Sequence, residues 1–240
     1  MERTKITVCM ASYNGGKFIA KQIQSILSQL SSEDELVISD DKSTDNTVAI
    51  IMSFNDSRIK LIKGPCLGVY QNFGNAISHA TGDIIFLSDQ DDIWNPNKVK
   101  VVKPLLNTYK LVLHNARIVD EHGNVTNDKL FPSHVNFSFW KNVLLHQTFG
   151  CCIAFSKDII PLIIPIPNND NILHETWISA LVQLRFGNKS CYYVNQNLIS
   201  YRRHQANVSD FRISGRAILP RIWERFTLLY FIFKRFVFKR

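Results

Sequence analysis

Long apolar runs are absent from this sequence. Within its 240 residues no hydrophobic stretch approaches the ~20 residues that a membrane-spanning helix needs, and its start, M-E-R-T-K, lacks the pattern of a secretory signal. Cysteine is scarce too: the five cysteines are an odd number and include no C-x-x-C pair. These absences argue against a disulfide framework or a zinc site, and they lead us to expect a cytoplasmic protein.

Glycine-rich phosphate loops are also missing. The turn after the first predicted strand reads S-Y-N-G-G-K, which matches neither G-x-G-x-x-G nor G-x-x-x-x-G-K-[ST], so neither dinucleotide binding nor a P-loop is indicated. There is no internal repeat, low-complexity segment or linker. With 45% hydrophobic and 20% charged residues, the composition is that of a globular protein. We therefore expect a single domain over residues 1–211, followed by a tail over residues 212–240.

Short apolar runs alternate with amphipathic segments in the first half of the chain. A helix is predicted after each of four strands, which are expected over residues 5–11, 35–39, 58–62 and 83–88. The second half differs, because residues 111–119 lead into a turn that predicts a hairpin or another antiparallel excursion. Further elements are predicted as strands over 150–155 and 192–201 and a helix over 172–186. This order predicts an α/β fold with a mostly parallel central sheet flanked by helices.

Polar residues follow three of the predicted strands. They are S-Y-N at 12–14, Asp40 and Asp41, and Asp89 and Asp91 within F-L-S-D-Q-D-D-I-W. Because open α/β sheets bind ligands at the carboxyl ends of their strands, this edge is the predicted binding site. Clustered carboxylates repel each other unless a cation neutralises them, and oxygen ligands favour hard ions such as Mg²⁺ or Mn²⁺. The competing interpretation of an isolated acidic motif is a solvated turn that caps the next helix.

Several ordered motifs resemble those of the family 2 glycosyltransferases. Together they cover roughly residues 5–205 and are more specific than any one alone. The segments are A-S-Y-N-G (11–15), S-D-D-K-S-T-D-N-T (39–47), A-T-G-D-I-I-F-L-S-D-Q-D-D-I-W (80–94), F-G-C-C (149–152), H-E-T-W (174–177) and Y-R-R-H (201–204). The resemblance implies a GT-A fold, in which a nucleotide-sugar-binding half, here 1–100, is fused to an acceptor-binding half, here 101–211.

The form of these motifs is most similar to bacterial rhamnosyltransferases of surface-polysaccharide synthesis. By this resemblance the protein would be an inverting, metal-dependent glycosyltransferase. It would move a sugar, rhamnose in those relatives, from a dTDP- or UDP-sugar to a glycan or lipid-linked acceptor. Two other functions share parts of the pattern: a nucleotidyltransferase that makes activated sugars, which usually carries a basic glycine-rich loop after its first strand, and a non-catalytic sugar-nucleotide-binding module.

The resemblance assigns the donor side of the site. Ala11, Ser12 and Tyr13 would contact the base and ribose, and Asp41 would accept a hydrogen bond from N3–H of uracil or thymine. Asp40 would be structural.

The resemblance also assigns the metal and diphosphate groups. Asp89 and Asp91 would form the D-x-D pair that holds the ribose and the ion, with Asp91 the direct ligand of Mg²⁺ or Mn²⁺. His204 would complete the metal shell or bind the diphosphate, with Arg202 and Arg203 beside it. A surface position at a strand end is the alternative for His204.

Glu175 occupies the family's position for the catalytic base, although many relatives have Asp there. One base without an enzyme nucleophile predicts inversion at the anomeric carbon. The alternative is that Glu175 is a first-turn carboxylate favoured by the helix dipole. His174 would contact the acceptor or cap its helix, and Trp177 would line the acceptor pocket or lie in the core.

Basic charge is concentrated in the tail. The formal net charge is +8, and residues 212–240 contain eight Lys/Arg and one acidic residue, a local charge of +7. A stripe of large hydrophobic residues at helical spacing lies next to a predicted basic side formed by Arg221, Arg225, Arg235 and Lys239. Such a helix is suited to an anionic membrane surface, here the inner face of the plasma membrane. The alternative is a helix packed on the domain. No nucleic-acid module accompanies the charge, so no nucleic acid is expected.

Overall fold

The structure, a computed structural model, describes residues 4–131, 134–205, 207 and 218–237, and in the last segment it describes side chains from residue 222 onward. The strands in this part of the chain are β1 (Ile6–Ser12), β2 (Glu35–Asp40), β3 (Ile59–Lys63), β4 (Ile84–Ser88), β5 (Ile93–Trp94), β6 (Leu111–Val119), β7 (Val125–Asn127), β8 (Ile153–Ser156) and β9 (Cys191–Arg202). The α-helices are α1 (Ile19–Leu27), α2 (Thr47–Ser53), α3 (Val69–Ser78), α4 (Lys98–Val102), α5 (Phe139–Leu145), α6 (Ile160–Ile163), α7 (His174–Phe186) and α8 (Ile218–Val237).

The predicted strands and helices are confirmed. In the first half, each strand lies within one residue of its expected bounds. One difference concerns residues 150–152, which form a short 3₁₀ turn before β8 rather than the beginning of that strand.

One mixed sheet connects both halves of the chain. Its strands are ordered β3-β2-β1-β4-β8-β6-β9-β5, with β7 paired to β6 off this path. Strands β1 to β4 run parallel, whereas β8 is antiparallel to both β4 and β6. The predicted antiparallel excursion is the β6–β7 pair, and β6 and β9 form a long parallel pair.

The central strands are buried on both faces. Every residue of β1, β2 and β4 is buried, as expected for strands covered by helices on either side. The hydrophobic core continues from these strands into β6, β8 and α7. The site is therefore built on strands that packing holds rigid.

The helical part of the tail packs on the domain, which was one of its two predicted alternatives. In α8, Leu228 and Ile232 are buried. Two residues of the expected basic side, Arg225 and Arg235, turn instead towards backbone carbonyls of the domain. The side chain of Arg221 and all of Lys239 lie outside the described residues. No helix among the described residues combines the length and the apolar character needed to cross a bilayer.

Glu35, at the start of β2, is buried although it is charged. Its Oε1 accepts hydrogen bonds from Thr7 Oγ1 at 2.6 Å and from the backbone N–H of Thr81 at 2.7 Å, and Lys60 Nζ donates to Oε2. Burial raises the pKa of this carboxyl, but the hydrogen bonds from Lys60, Thr7 and Thr81 outweigh burial and lower the pKa to about 2. Glu35 therefore ties the beginning of β2 to β1 and to the loop before β4.

We expect Glu35→Gln to lower the free energy of unfolding at pH 7 by about 1–3 kcal/mol, because buried donors lose a charged acceptor. Since the pKa in the folded state lies below that in the unfolded chain, Glu35 contributes stability above about pH 4.5 that is lost as the pH falls towards 2. Urea unfolding across this pH range should show a shallower acid decline for Glu35→Gln than for the wild type. Exposed Glu33→Gln is the control, and equal acid sensitivity of Glu35→Gln and the wild type would contradict this role.

Candidate active site

Strand register brings the predicted polar residues to one edge of the sheet. Ser12 of β1 pairs with Asp40 of β2, and Met10 pairs with Ser88 of β4. The first residues after β2 and β4 therefore flank the carboxyl end of β1. As the sequence predicts, the polar strand ends lie together at this edge.

Two neighbouring aspartates at the end of β2 have different surroundings. Asp40 is buried, and its Oδ2 accepts a hydrogen bond from Ser12 Oγ at 2.8 Å. The carboxylate of Asp41 lies against the loop before α3, where it accepts from the backbone N–H groups of Cys66 at 2.6 Å and Gly68 at 3.2 Å. Asp40 thus holds the turn, and the loop holds Asp41 in place.

Gln90 fixes the turn after β1. Its Oε1 accepts from the backbone N–H of Tyr13 at 3.0 Å, and its Nε2 donates to the Tyr13 carbonyl at 2.9 Å. A Cβ on Gly15 would lie 2.1 Å from Gln90 Oε1, so glycine is needed there for this contact. Ala11 and Ser12 are buried at the strand end, whereas the Tyr13 side chain is exposed and free to cover a ligand.

Three acidic residues follow β4. Ligand atoms of Asp89, Asp92 and Cys151 lie within 4.8 Å of one another. Asp92 is 1% exposed, and its Oδ1 accepts from the backbone N–H of Arg202 at 2.9 Å. Its Oδ2 has no hydrogen-bond partner among the described residues. Asp92 and Cys151 were not predicted, although Asp92 is the third carboxylate of the acidic motif.

Negative charge at this cluster is not compensated. Burial and the charge of Asp91 raise the pKa of Asp89 to about 7. Burial, Asp91 and Asp89 likewise hold the pKa of Asp92 well above its usual range. A hydrogen bond with Cys152, together with burial, raises the pKa of the Cys151 thiol, so it stays protonated. The carboxylates, rather than the thiol, are therefore the groups that suit a hard cation.

Lys98 is a buried cation behind the cluster. Its Nζ donates to the carbonyl of Cys151 at 2.9 Å and lies 4.0 Å from the centre of the Trp94 ring. Burial lowers its pKa to about 8, while the nearby charges of Asp92 and Asp89 oppose that shift. Sequence reasoning missed Lys98 because lysine is almost never fully buried.

Asp91 and His204 come together as the resemblance implied. His204 Nε2 lies 2.7 Å from Asp91 Oδ2, and Asn207 Nδ2 donates to the same oxygen at 3.1 Å. The His204 ring stacks on Phe18 with centroids 4.7 Å apart. His204 is therefore held beside an aspartate of the D-x-D pair, and its role in metal or diphosphate binding stays a prediction.

Arg202 does not occupy the position expected of a diphosphate contact. It is buried, and its guanidinium donates to the carbonyls of Asp91 at 2.9 Å and Glu121 at 2.9 Å. These bonds hold the acidic turn against β9, so Arg202 has a structural role. Arg203, the next residue, is half-buried, and its backbone N–H donates to the Val119 carbonyl at 2.8 Å.

Glu175 lies in the first turn of α7, near enough to Asp89 for the charge of that residue to act on it. Its side chain is 12% exposed, and its Oε2 has no hydrogen-bond partner in the described part of the chain. Burial raises its pKa to about 8, and the charge of Asp89 acts in the same direction. A carboxylate with such a pKa takes up a proton readily near neutral pH.

His174 and Trp177 are both buried. His174 Nδ1 lies 3.1 Å from Glu175 Oε2 without hydrogen-bond alignment, and neither ring nitrogen has a partner among the described residues. Burial lowers the pKa of His174 to about 3, so its ring is neutral as it stacks on Phe73. Trp177 is 1% exposed and donates to the Ile163 carbonyl at 2.8 Å. The expectation that Trp177 contacts the acceptor is thus wrong, and it belongs to the core.

The sequence is similar to those of known proteins. The family model described as glycosyl transferase family 2 matches residues 7–161. The Escherichia coli UDP-Glc:alpha-D-GlcNAc-diphosphoundecaprenol beta-1,3-glucosyltransferase WfgD is 25% identical over 229 residues, 93% of this chain and 86% of its own length. The Shigella flexneri dTDP-rhamnosyl transferase RfbG is 27% identical over 231 residues, 89% of this chain and 78% of its own length.

Solved structures agree on the fold. S. aureus TarS 1-349 in complex with UDP-GlcNAc has a TM-score of 0.72 at 16% identity, over 98% of this chain and 67% of that one. Glucosyl-3-phosphoglycerate synthase from Mycobacterium tuberculosis, in complex with Mn²⁺, UDP-glucose and phosphoglyceric acid, has a TM-score of 0.57 at 18% identity, over 97% and 79%.

Some relatives are longer than this chain. It spans 66% of the length of an uncharacterized glycosyltransferase from Nostoc, with 26% identity over 216 residues. The matched family model nevertheless covers well over half of the present sequence, from β1 to α6, and includes the acidic cluster. The sheet order and the structural neighbours are those of the GT-A fold. This chain therefore belongs to glycosyl transferase family 2.

Proposed function

We propose that this protein is an inverting glycosyltransferase that takes a sugar from a uridine or thymidine diphosphate donor and builds cell-surface polysaccharide. The observation that carries the proposal is the placement of Glu175. A buried carboxylate with an unpartnered oxygen and a pKa raised to about 8 lies near a cluster of carboxylates suited to hold a donor diphosphate through a cation. Glu175 would thus accept the proton of the acceptor, and the acidic cluster, through its cation, would stabilise the negative charge on the leaving diphosphate.

The donor base would lie between the turn after β1 and the loop before α3. Asp41 accepts two backbone hydrogen bonds from that loop, and each carboxylate oxygen keeps a lone pair for the N3–H of uracil or thymine. Exposed Tyr13 would cover the base, with Ala11 and Ser12 below it. The printed names of WfgD and RfbG, one a UDP-Glc and one a dTDP-rhamnosyl enzyme, support a donor with either of these bases.

The acidic cluster fits a divalent ion. Buried Asp92 has an oxygen without a hydrogen-bond partner among the described residues, and burial and the charge of Asp91 raise the pKa of Asp89, so a cation would relieve the cost of ionising this cluster. Asp89, Asp91 and Asp92 would hold Mg²⁺ or Mn²⁺, with His204 beside Asp91. The ion, when bound, would stabilise charge on the diphosphate as a Lewis acid. The Mn²⁺ in the mycobacterial synthase structure supports this assignment.

The proposed reaction is a single displacement. Glu175 takes the proton from the acceptor hydroxyl as that oxygen forms a bond to the anomeric carbon. The bond from this carbon to the diphosphate oxygen breaks, and its electron pair leaves with the diphosphate. Because attack comes from the face opposite the leaving group, the configuration inverts. Half-buried Arg203 remains the proposed side-chain contact to the diphosphate.

The sugar and the acceptor are proposed more narrowly from the relatives. Rhamnose is the first donor sugar to test, because the acidic motif is similar to rhamnosyltransferases and RfbG is 27% identical. A lipid-linked glycan is the proposed acceptor, since the name of WfgD specifies a diphosphoundecaprenol substrate. Such an acceptor would place the enzyme at the cytoplasmic face of the membrane, with peripheral contact through residues 212–240.

We expect Glu175→Gln to lower kcat by about 10²–10⁴-fold while leaving donor affinity unchanged, because only proton transfer is lost. Single-turnover assays with dTDP-rhamnose and UDP-glucose, paired with calorimetric donor binding, measure both quantities. Exposed Arg185→Gln, in the last turn of the same helix, is the control. Full activity of Glu175→Gln would remove this residue as the base.

We expect kcat/KM to rise with pH and to level off above about pH 8, because the base acts only when Glu175 is deprotonated and its pKa is about 8. The same profile in Glu175→Gln should have lost this step. A flat wild-type profile from pH 6 to 9 would contradict an essential base with a raised pKa.

We expect Asp91→Asn to weaken Mn²⁺-dependent donor binding at least about tenfold, which corresponds to ~1.4 kcal/mol. Thermal unfolding with UDP, with and without Mn²⁺, measures the effect, since ligand binding raises Tm by mass action. Exposed Asp128→Asn provides the control. An undiminished Mn²⁺-dependent rise in Asp91→Asn would place the ion elsewhere.

A further inference from the structure

The large aromatic residues of helix α8 lie mainly on the side that faces away from the protein. Four aromatic side chains, at spacings of three, four and three residues, lie on one face and point away from the protein: Trp223, Phe226, Tyr230 and Phe233. An ordinary surface helix turns its large apolar residues inward. Here the apolar residues on the inner side are chiefly Leu228 and Ile232, which are buried.

Arginine side chains clamp this helix to the domain. Near its beginning, Arg225 Nε donates to the Leu144 carbonyl at 3.2 Å, and its guanidinium also contacts His146. Near its end, Arg235 Nε donates to the Leu162 carbonyl at 2.8 Å. Because Arg225 and Arg235 face inward and are bonded to the domain, the aromatic face is a fixed part of the protein surface.

Helix α5 extends the same surface. The carbonyl of its Leu144 accepts the bond from Arg225, so the two helices are adjacent. Its outer residues are Trp140, Leu144 and Leu145. Together with the four aromatics of α8 they form the α5–α8 face, and each of these seven side chains is between 58% and 67% exposed. Large exposed apolar residues grouped on two adjacent helices are typical of an interaction surface.

The α5–α8 face lies next to the helix that carries the proposed base. Asn142 of α5 donates to Ser179 of α7 at 2.7 Å, and His146 Nδ1 lies 3.1 Å from Thr176 Oγ1. Thr176 follows Glu175 directly in the first turn of α7. Whatever contacts the face is therefore close to the acceptor side of the active site.

We propose that the α5–α8 face docks on the surface of an anionic lipid bilayer. Trp and Tyr are the residues enriched where apolar chains meet head groups. The exposed cations Lys141 of α5 and Lys234 of α8 each follow a residue of the face directly in sequence and suit anionic head groups. A second copy is disfavoured, because a two-fold contact would bring these like charges together. The inference rests on the proposed lipid-linked acceptor, which docking would present beside Glu175.

The four tryptophans offer a direct readout in the wild-type chain. Trp94 and Trp177 are buried, whereas Trp140 and Trp223 both lie on the α5–α8 face. Docking on vesicles of phosphatidylglycerol and phosphatidylethanolamine should shift the fluorescence to the blue, and brominated lipids should quench it. Unchanged fluorescence with saturating vesicles would overturn the proposal.

Flotation of the full-length chain with the same vesicles gives the second test. The triple variant Trp223→Ser, Phe226→Ser, Phe233→Ser should lose at least about tenfold in partition coefficient. The double variant Met52→Ser, Val125→Ser, which removes exposed apolar residues elsewhere, should bind as the wild type does. Equal binding of triple variant and wild type would overturn the proposal. So would a wild-type dimer that the triple variant breaks and that does not float, since a second copy would then cover the face.

Donor hydrolysis in water separates this inference from the proposed function. The triple variant should retain it, because no substituted residue touches the donor site, and this also shows that the variant is folded. Hydrolysis without vesicle binding by the wild type would end only the docking proposal. Vesicle binding without turnover of any nucleotide sugar would leave docking standing and contradict the proposed function.

Discussion

Uncompensated negative charge at the end of β4 is the constraint on which the rest of the site depends. Three aspartates lie within four residues of one turn, where burial, followed by their mutual repulsion, raises the pKa values of Asp89 and Asp92. Nothing in a fold built only for stability calls for such a turn. It is held by Arg202, whose backbone and guanidinium bind the turn from β9, and it is backed by Lys98. These neighbours position the carboxylates without neutralising all of them, which leaves room for a cation and a diphosphate.

The central sheet connects the acidic cluster to the helix that carries Glu175. β8 joins the parallel strands of the donor half to β6 and β9, and α7 packs over the same core. The first turn of α7 therefore carries Glu175 to the cluster on a rigid support. The charge of Asp89 contributes to the raised pKa of Glu175, so the two sides of the site are coupled electrostatically. Burial, with a smaller contribution from this coupling, thus gives Glu175 the raised pKa that its proposed role as a base would use.

Much of this arrangement could be predicted from the sequence. The spacing and length of the apolar runs predicted the strands. Polar residues at the ends of β1, β2 and β4 predicted the binding edge, because parallel strands bring their carboxyl ends together. The motif order identified the family and the Asp91–His204 pair. Local patterns could not predict contacts between distant segments. The guanidinium of Arg202 reaches the Asp91 carbonyl across 111 residues of sequence, and Lys98 is buried against the usual preference of lysine. Likewise, the spacing of hydrophobic residues along α8 predicts a helix but not which side of it faces the protein. In the structure Arg225 and Arg235 face the domain.

The central claim is that the carboxylates after β4 bind a divalent ion together with the donor diphosphate. The most direct measurement is the anomalous difference map of crystals grown with Mn²⁺ and UDP. We expect one strong peak within coordination distance of Asp91 and of a diphosphate oxygen. A fully occupied UDP site whose manganese peak lies away from Asp89, Asp91 and Asp92, or is missing, would contradict the account.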